Sequence, residues 1–193
     1  MAFIDERTLT GLAEEHGVPG DLAWESAALL RPCVHLVKCE DLPEGGRSDL
    51  RPAGRTGGLP SLPEGVEWPG GAGPFVLSVD CAALPRDCLD IELPSDGQLL
   101  FFTTFEYEPE NSAVLHVPAG VPGAERPLPG GLDDAEAAAY EPRPLYAVRG
   151  LTTDHDWYSS PAAEAFEAGN LMVGTREDIA AGRWENLLCV QQR

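Results

Sequence analysis

QLLFFTTFEY, residues 98–107, is the stretch from which the rest of this chain is read. Branched and aromatic residues crowd it without a Gly or Pro, which predicts a β-strand. Upstream, LPSDG (93–97) is a turn, and PFVLSVDCAAL (74–84) reads as a strand running into a short turn. Downstream, EYEPEN (106–111) offers a short polar connection rather than a crossover helix. SAVLHVP (112–118) is therefore the expected antiparallel neighbour, and the two form the expected hairpin.

Working outward, CVHLVKC (33–39) alternates Val34, Leu36 and Lys38 against Cys33, His35, Val37 and Cys39, as a strand with at least one apolar face would. RPLYAVRGLT (143–152) and NLLCVQQ (186–192) predict further strands. ERTLTGLAEEHG (6–17) and DLAWESAALLR (21–31) carry apolar residues at helical spacing, with Pro32 ending the second segment. Helical turns are also expected in DDAEAAAY (133–140), SPAAEAFEAG (160–169) and TREDIAAGRW (175–184); in the last, Thr175 starts the helix with Glu177 and Asp178 behind it. The sum is an α+β domain: a largely antiparallel or mixed β-sheet, two N-terminal helices, and long Pro/Gly-rich loops.

One of those loops, Asp41 to Pro74, contains RTGGLPSLPEGVEWPGG (55–71). Prolines at 60, 63 and 69 hold it extended, while Leu59, Leu62 and Trp68 are large enough to pin it onto the sheet. A rim for a ligand is the alternative use of the same residues.

The composition bounds the function. The 193 residues suit one domain and suffice for a core. Against 13 basic residues stand 32 acidic ones, a net charge of −19. Such a surface repels phosphate backbones and anionic membranes, so neither nucleic acid nor membrane is an expected partner. A basic protein is. Five cysteines, an acidic N-terminal stretch and no long apolar run point to free thiols in a reducing cytoplasm.

Motifs for nucleotide chemistry are missing, with no phosphate loop and no dinucleotide fingerprint, and without a G-x-S-x-G elbow a serine hydrolase is not expected either. Cys33, His35 and Cys39 lie within seven residues, but three ligands along one strand spread over about 20 Å, too far for one tetrahedral zinc. No metal or cofactor is assigned, and the cysteines read as small apolar core residues. Asp154, His155 and Asp156 form the most enzyme-like cluster, since flanking carboxylates raise a histidine pKa and orient its ring. Competing with that reading is a solvated turn. His116 reads as packed, and the carboxylates at Glu106, Glu108 and Glu110 match no calcium loop. The ligand-binding candidates are Trp68, Asp80, Asp154, His155 and Asp156, with no catalytic residue assigned.

GGLPSLPEGVEWP, then FVLSVDCAALP, then DGQLLFF, in that order and spacing, resembles the YwqG-like family of bacterial domains of unknown function. Gly57, Gly58, Pro60, Leu62, Pro63, Trp68 and Pro69 fill the first pattern; Phe75, Asp80, Leu84 and Pro85 the second, with Ser78 where the family usually has Gln; Gly97, Leu100, Phe101 and Phe102 the third. The resemblance covers Leu36 to Val117 and fades after it. It implies one domain over 1–193, with a helical segment at 1–31, a best-matching core at 32–117 and a divergent second half at 118–193, in either a short or a truncated member. It brings no established catalytic residues. The function expected is a non-enzymatic, acidic binding module, immunity-like toward a basic partner. The rivals are an enzyme or small-molecule receptor with a pocket beside Gly57 to Trp68, and an inactive copy.

Overall fold

Among the described residues run the strands β1 (Leu30–Val37), β2 (Gly54–Thr56), β3 (Ser61–Pro63), β4 (Phe75–Asp80), β5 (Gln98–Phe102), β6 (Ala113–Val117), β7 (Gly123–Glu125), β8 (Arg143–Thr153), β9 (Gly169–Val173) and β10 (Leu188–Gln192), with a short helix, α1 (Arg176–Ala180). The computed structural model describes residues 30–42, 50–103, 112–128, 141–153 and 169–192, with positions 11, 17 and 19 in isolation.

Six strands form one sheet in the order β1-β8-β2-β4-β5-β6, curled into a half-barrel. Every pairing in it is antiparallel. The hairpin expected from the sequence is present as β5 against β6, with Leu100 opposite Leu115. Two smaller ladders join β3 to β7 and β9 to β10.

The α+β class is overturned. Among the described residues the fold is mostly β, and the helix described along its length, α1, is five residues long and lies toward the C-terminus. The two helices expected before Pro32 fall largely outside the described residues, but their end point is corrected: Leu30, Arg31 and Pro32 belong to β1 and pair with Thr153, Thr152 and Leu151. A proline is tolerable there because β1 is an edge strand, where a missing N–H removes no bond from a second neighbour. The helical segments expected at 133–140 and 160–169 also lie outside the described residues, save Gly169, which begins β9. α1 itself is as expected: the Thr175 hydroxyl accepts from the Asp178 N–H at 3.0 Å, an N-cap.

The loop 41–74 is less irregular than its composition suggests, because it contributes β2 to the middle of the sheet and β3 to a side ladder. Gly54 explains how three residues fit between β4 and β8: a Cβ there would stand 2.1 Å from the Ser78 carbonyl oxygen. Only glycine allows so close an approach.

Side-chain alternation divides the core into two layers. On one face of the sheet Leu62, Ala72, Phe75, Leu100 and Phe102 cluster, with Trp68, Ala113, Leu115 and Val117 against them. On the other, Ala53, Val79, Cys81, Leu84, Leu99 and Val114 cluster, with Val34, Leu36, Phe101, Trp184 and Leu187 alongside. The 55–71 loop is thus pinned to the sheet as its anchors suggested. Leu62 and Pro60 are fully buried, and Arg55 holds the bend by donating to the Gly57 and Leu59 carbonyls while lying over the Phe75 ring.

Candidate ligand-binding cleft

The second face carries a cleft of about 500 Å³. Its floor is sheet: Val79 from β4, Leu99 and Phe101 from β5, and Val114 from β6. Pro32, Cys33, Val34 and Leu36 of β1 form one wall. Leu84, Leu89, Ile91 and Leu93, from the segment between β4 and β5, form a second, and Ile179, Trp184 and Leu187 a third.

Each wall has a local cause. The segment after β4 turns because Asp80 caps the 3-10 turn Cys81–Ala83, its Oδ1 accepting from the Ala82 N–H at 3.0 Å. Arg86 then staples the segment onto itself, donating to the carbonyls of Leu93 at 2.9 Å, Pro94, and Cys81 at 3.4 Å. Arg149 of β8 pairs with Asp87 at 2.8 Å. On the third wall, Asp178 accepts from Arg183 Nε at 2.7 Å and Asn186 at 2.8 Å, tying α1 to the 3-10 turn Trp184–Asn186. The Thr175 hydroxyl first, and then these two donors, hold the Asp178 carboxyl down at about 2. The second and third walls are joined by Arg176, whose guanidinium donates to the Asp90 carbonyl and, at 2.6 Å, to its carboxylate.

Among the described residues the lining is apolar but for the Cys33 thiol, the Trp184 indole and three charged side chains, Arg31, Asp90 and Arg176. Burial, and secondarily the nearby Cys88, pushes the Cys33 thiol up from its ordinary pKa. Its Sγ lies 3.3 Å from His35 Nε2.

The candidates read from the sequence are not brought together here. Trp68 lies on the opposite face, its ring on Phe102 and its Nε1 donating to the Gly73 carbonyl at 3.3 Å. Beside it is a separate, mixed polar hollow of about 440 Å³ over Gly65–Trp68, Arg126 and Pro127. Asp80 is occupied as a cap and as the ion-pair partner of Arg51. Asp154, His155 and Asp156 fall outside the described residues, as do Glu106, Glu108 and Glu110. His116 is packed as expected, its Nε2 donating to the Asp96 carbonyl at 3.0 Å and its ring 6.4 Å from that of Trp184. Cys39 leaves β1 for a 3-10 turn, which parts it from Cys33 and His35. Among the described residues no three His, Cys, Asp or Glu side chains form a group able to hold a metal ion.

Sequence reasoning missed the cleft. The available signal was β5 itself: a strand apolar at four successive positions, Leu99 to Phe102, must be covered on both faces. The 55–71 loop accounted for only one.

Residues 54–122, a little over a third of the chain, match the family model described as Domain of unknown function (DUF1963). The match spans β2 to β6 and so takes in the cleft floor and the second wall. No curated protein and no solved structure matches the chain. Among the described residues no helix is long and apolar enough to cross a membrane.

Proposed function

We propose that this chain is a YwqG-like member of the domain class that its central segment matches, and that it is a non-enzymatic binding module taking one small, mainly apolar molecule into the cleft over Val79, Leu99, Phe101 and Val114. The observation that carries this reading is the cleft itself. At about 500 Å³, with apolar walls and a few polar groups, it falls in the size and character range of ligand pockets. Cys33 is a poor nucleophile in this wall, because its burial disfavours the thiolate. The test is titration with N-phenyl-1-naphthylamine, a neutral dye that brightens in apolar surroundings. Saturable 1:1 brightening is expected, and it is lost in Ile91→Trp, which fills the cleft from a loop position. No brightening with the folded chain sinks the reading.

A second reading rests on the net charge of −19: electrostatic steering toward a basic protein in a reducing cytoplasm. Capture of one basic protein from a native extract at low salt, with release at high salt, supports it. An empty column at both salts counts against it.

A further inference from the structure

Among the described residues, no charged side chain that reaches the cleft is without a partner. The Arg176 guanidinium donates through Nη1 to the Asp90 carbonyl and through Nη2, at 2.6 Å, to its carboxylate. The two charges therefore cancel each other, and both groups remain within reach of solvent, Arg176 64% and Asp90 33% exposed. Arg31, exposed at the start of β1, makes an interaction of its own within the chain. The other polar groups of the lining, the Cys33 thiol and the Trp184 indole, carry no charge, since burial keeps the thiol protonated. Around the pair the surface is aliphatic on both sides, with Leu89, Ile91 and Leu93 on one wall and Ile179 and Leu187 on the other.

We propose that the cleft selects uncharged aliphatic molecules, and that Asp90 and Arg176 determine this selectivity by neutralising each other. The inference rests on the reading of the cleft as a ligand site. A charged head group entering this space gives up water, and burying a charge is costly unless an opposite charge takes it. A carboxylate would have to compete with Asp90 for Arg176, and an ammonium group with Arg176 for Asp90. An uncharged molecule meets neither obstacle and keeps every aliphatic contact. Selectivity of this kind comes from what the site withholds from the wrong ligand as much as from what it offers to the right one. It has a distinctive corollary: removing either partner leaves the other as an unpaired charge, and each removal should admit ions of one sign only.

The experiment uses the full 193-residue chain at neutral pH and the displacement of N-phenyl-1-naphthylamine by three ten-carbon probes: decanol, decanoate and decyltrimethylammonium. Decanol is expected to displace the dye at a concentration about tenfold lower than either ion. A neutral chain enters any apolar site more readily than an ion, so the variants assign the effect to the pair. D90N frees Arg176 and should lower the displacing concentration of decanoate about tenfold, the worth of one bond to a charged group, while leaving decanol unchanged. R176Q frees Asp90 and should do the same for decyltrimethylammonium. Asp90→Glu keeps the pair and should keep the wild-type order. Both removals also cut the tie between α1 and the 81–94 segment, but a loosened wall would move all three probes together. If either ion matches decanol on the wild type, or if each variant shifts the probes alike, the selectivity proposal is overturned and the ligand cleft stands. Loss of dye binding in both variants makes the pair a structural tie and overturns its role as well. If the dye does not bind the wild type, the reading of the cleft itself fails, and the selectivity falls with it.

Discussion

The indole of Trp68 meets the ring of Phe102 edge-on, with centroids 5.0 Å apart and planes at 73°. Phe75 approaches the same ring from another side at 5.7 Å, and Phe102 is fully buried. Phe102 is therefore the post on which the loop and β4 both lean. Phe102→Ala should cost about 3–5 kcal/mol, the range for large aromatic deletions that leave a cavity. Trp68→Ala, at a half-buried ring, should cost less. Urea denaturation measures both; equal losses would mean that the loop, not β5, carries this layer.

Gly54 and Gly70 differ in what surrounds them. A Cβ at Gly54 would strike the Ser78 carbonyl oxygen, whereas one at Gly70 would meet nothing within 4 Å. Gly54→Ala should lower stability by roughly 1–3 kcal/mol through backbone displacement, and Gly70→Ala should be near neutral. Thermal unfolding of the two variants side by side decides it.

Asp80 filled a position in the family pattern and was a ligand candidate, yet its oxygens are committed to Ala82 and Arg51. Asp80→Ala should cost about 1 kcal/mol, as loss of a cap does. It should leave dye affinity unchanged provided that the variant folds. A large loss of affinity at unchanged stability would return Asp80 to the list of binding residues.

The Asp178 carboxyl titrates at about 2, below its ordinary 3.8, because Thr175, Arg183 and Asn186 donate to its ionised form. Folding thus favours the charged state. The stabilisation is complete above 3.8 and is lost as the pH falls through about 2. Wild type should melt above Asp178→Asn near neutrality, and the gap should close across that acid window. A gap that widens there would contradict the assignment.

Cysteine reactivity gives an independent view of the cleft wall. Burial raises the Cys33 thiol, while Cys39 is exposed beyond the end of β1. At mildly alkaline pH a disulfide reagent, followed by peptide mass mapping, should label Cys39 well before Cys33. N-phenyl-1-naphthylamine should slow Cys33 further without touching Cys39. Equal rates at the two sites would place Cys33 outside a closed wall.

Some of this was written locally and some was not. The strand at 98–102, its hairpin partner and the Thr175 cap are specified by neighbours within a few residues, and the sequence reading found them. β2, β3 and β7 are three residues each and sit in Gly/Pro-rich stretches, so nothing in their own composition marks them. They are strands because β4, β8 and each other supply the partners. Leu30 and Arg31 extended a helical pattern, and pairing with β8 overrode it. The cleft was hidden for the same reason. Arg31, Asp90 and Arg176 are unremarkable where they stand in the chain, and only the sheet and its flanking turns bring them to one rim.

The pairing of Leu30 with Thr153 sets an order of assembly. Strands β2, β4, β5 and β6 find partners among themselves, so that part of the sheet can zip together while later residues are still being synthesised. β1 emerges first and has to wait for β8, across more than half the chain. High-separation pairing of this kind slows folding and leaves an early strand uncovered in the meantime. The cleft waits longer still, since α1 and Trp184 come after β8. A nascent chain therefore carries its apolar floor, Leu99 and Phe101, bare until α1 and Trp184 have left the ribosome, and that interval is when a holding chaperone would matter most to it.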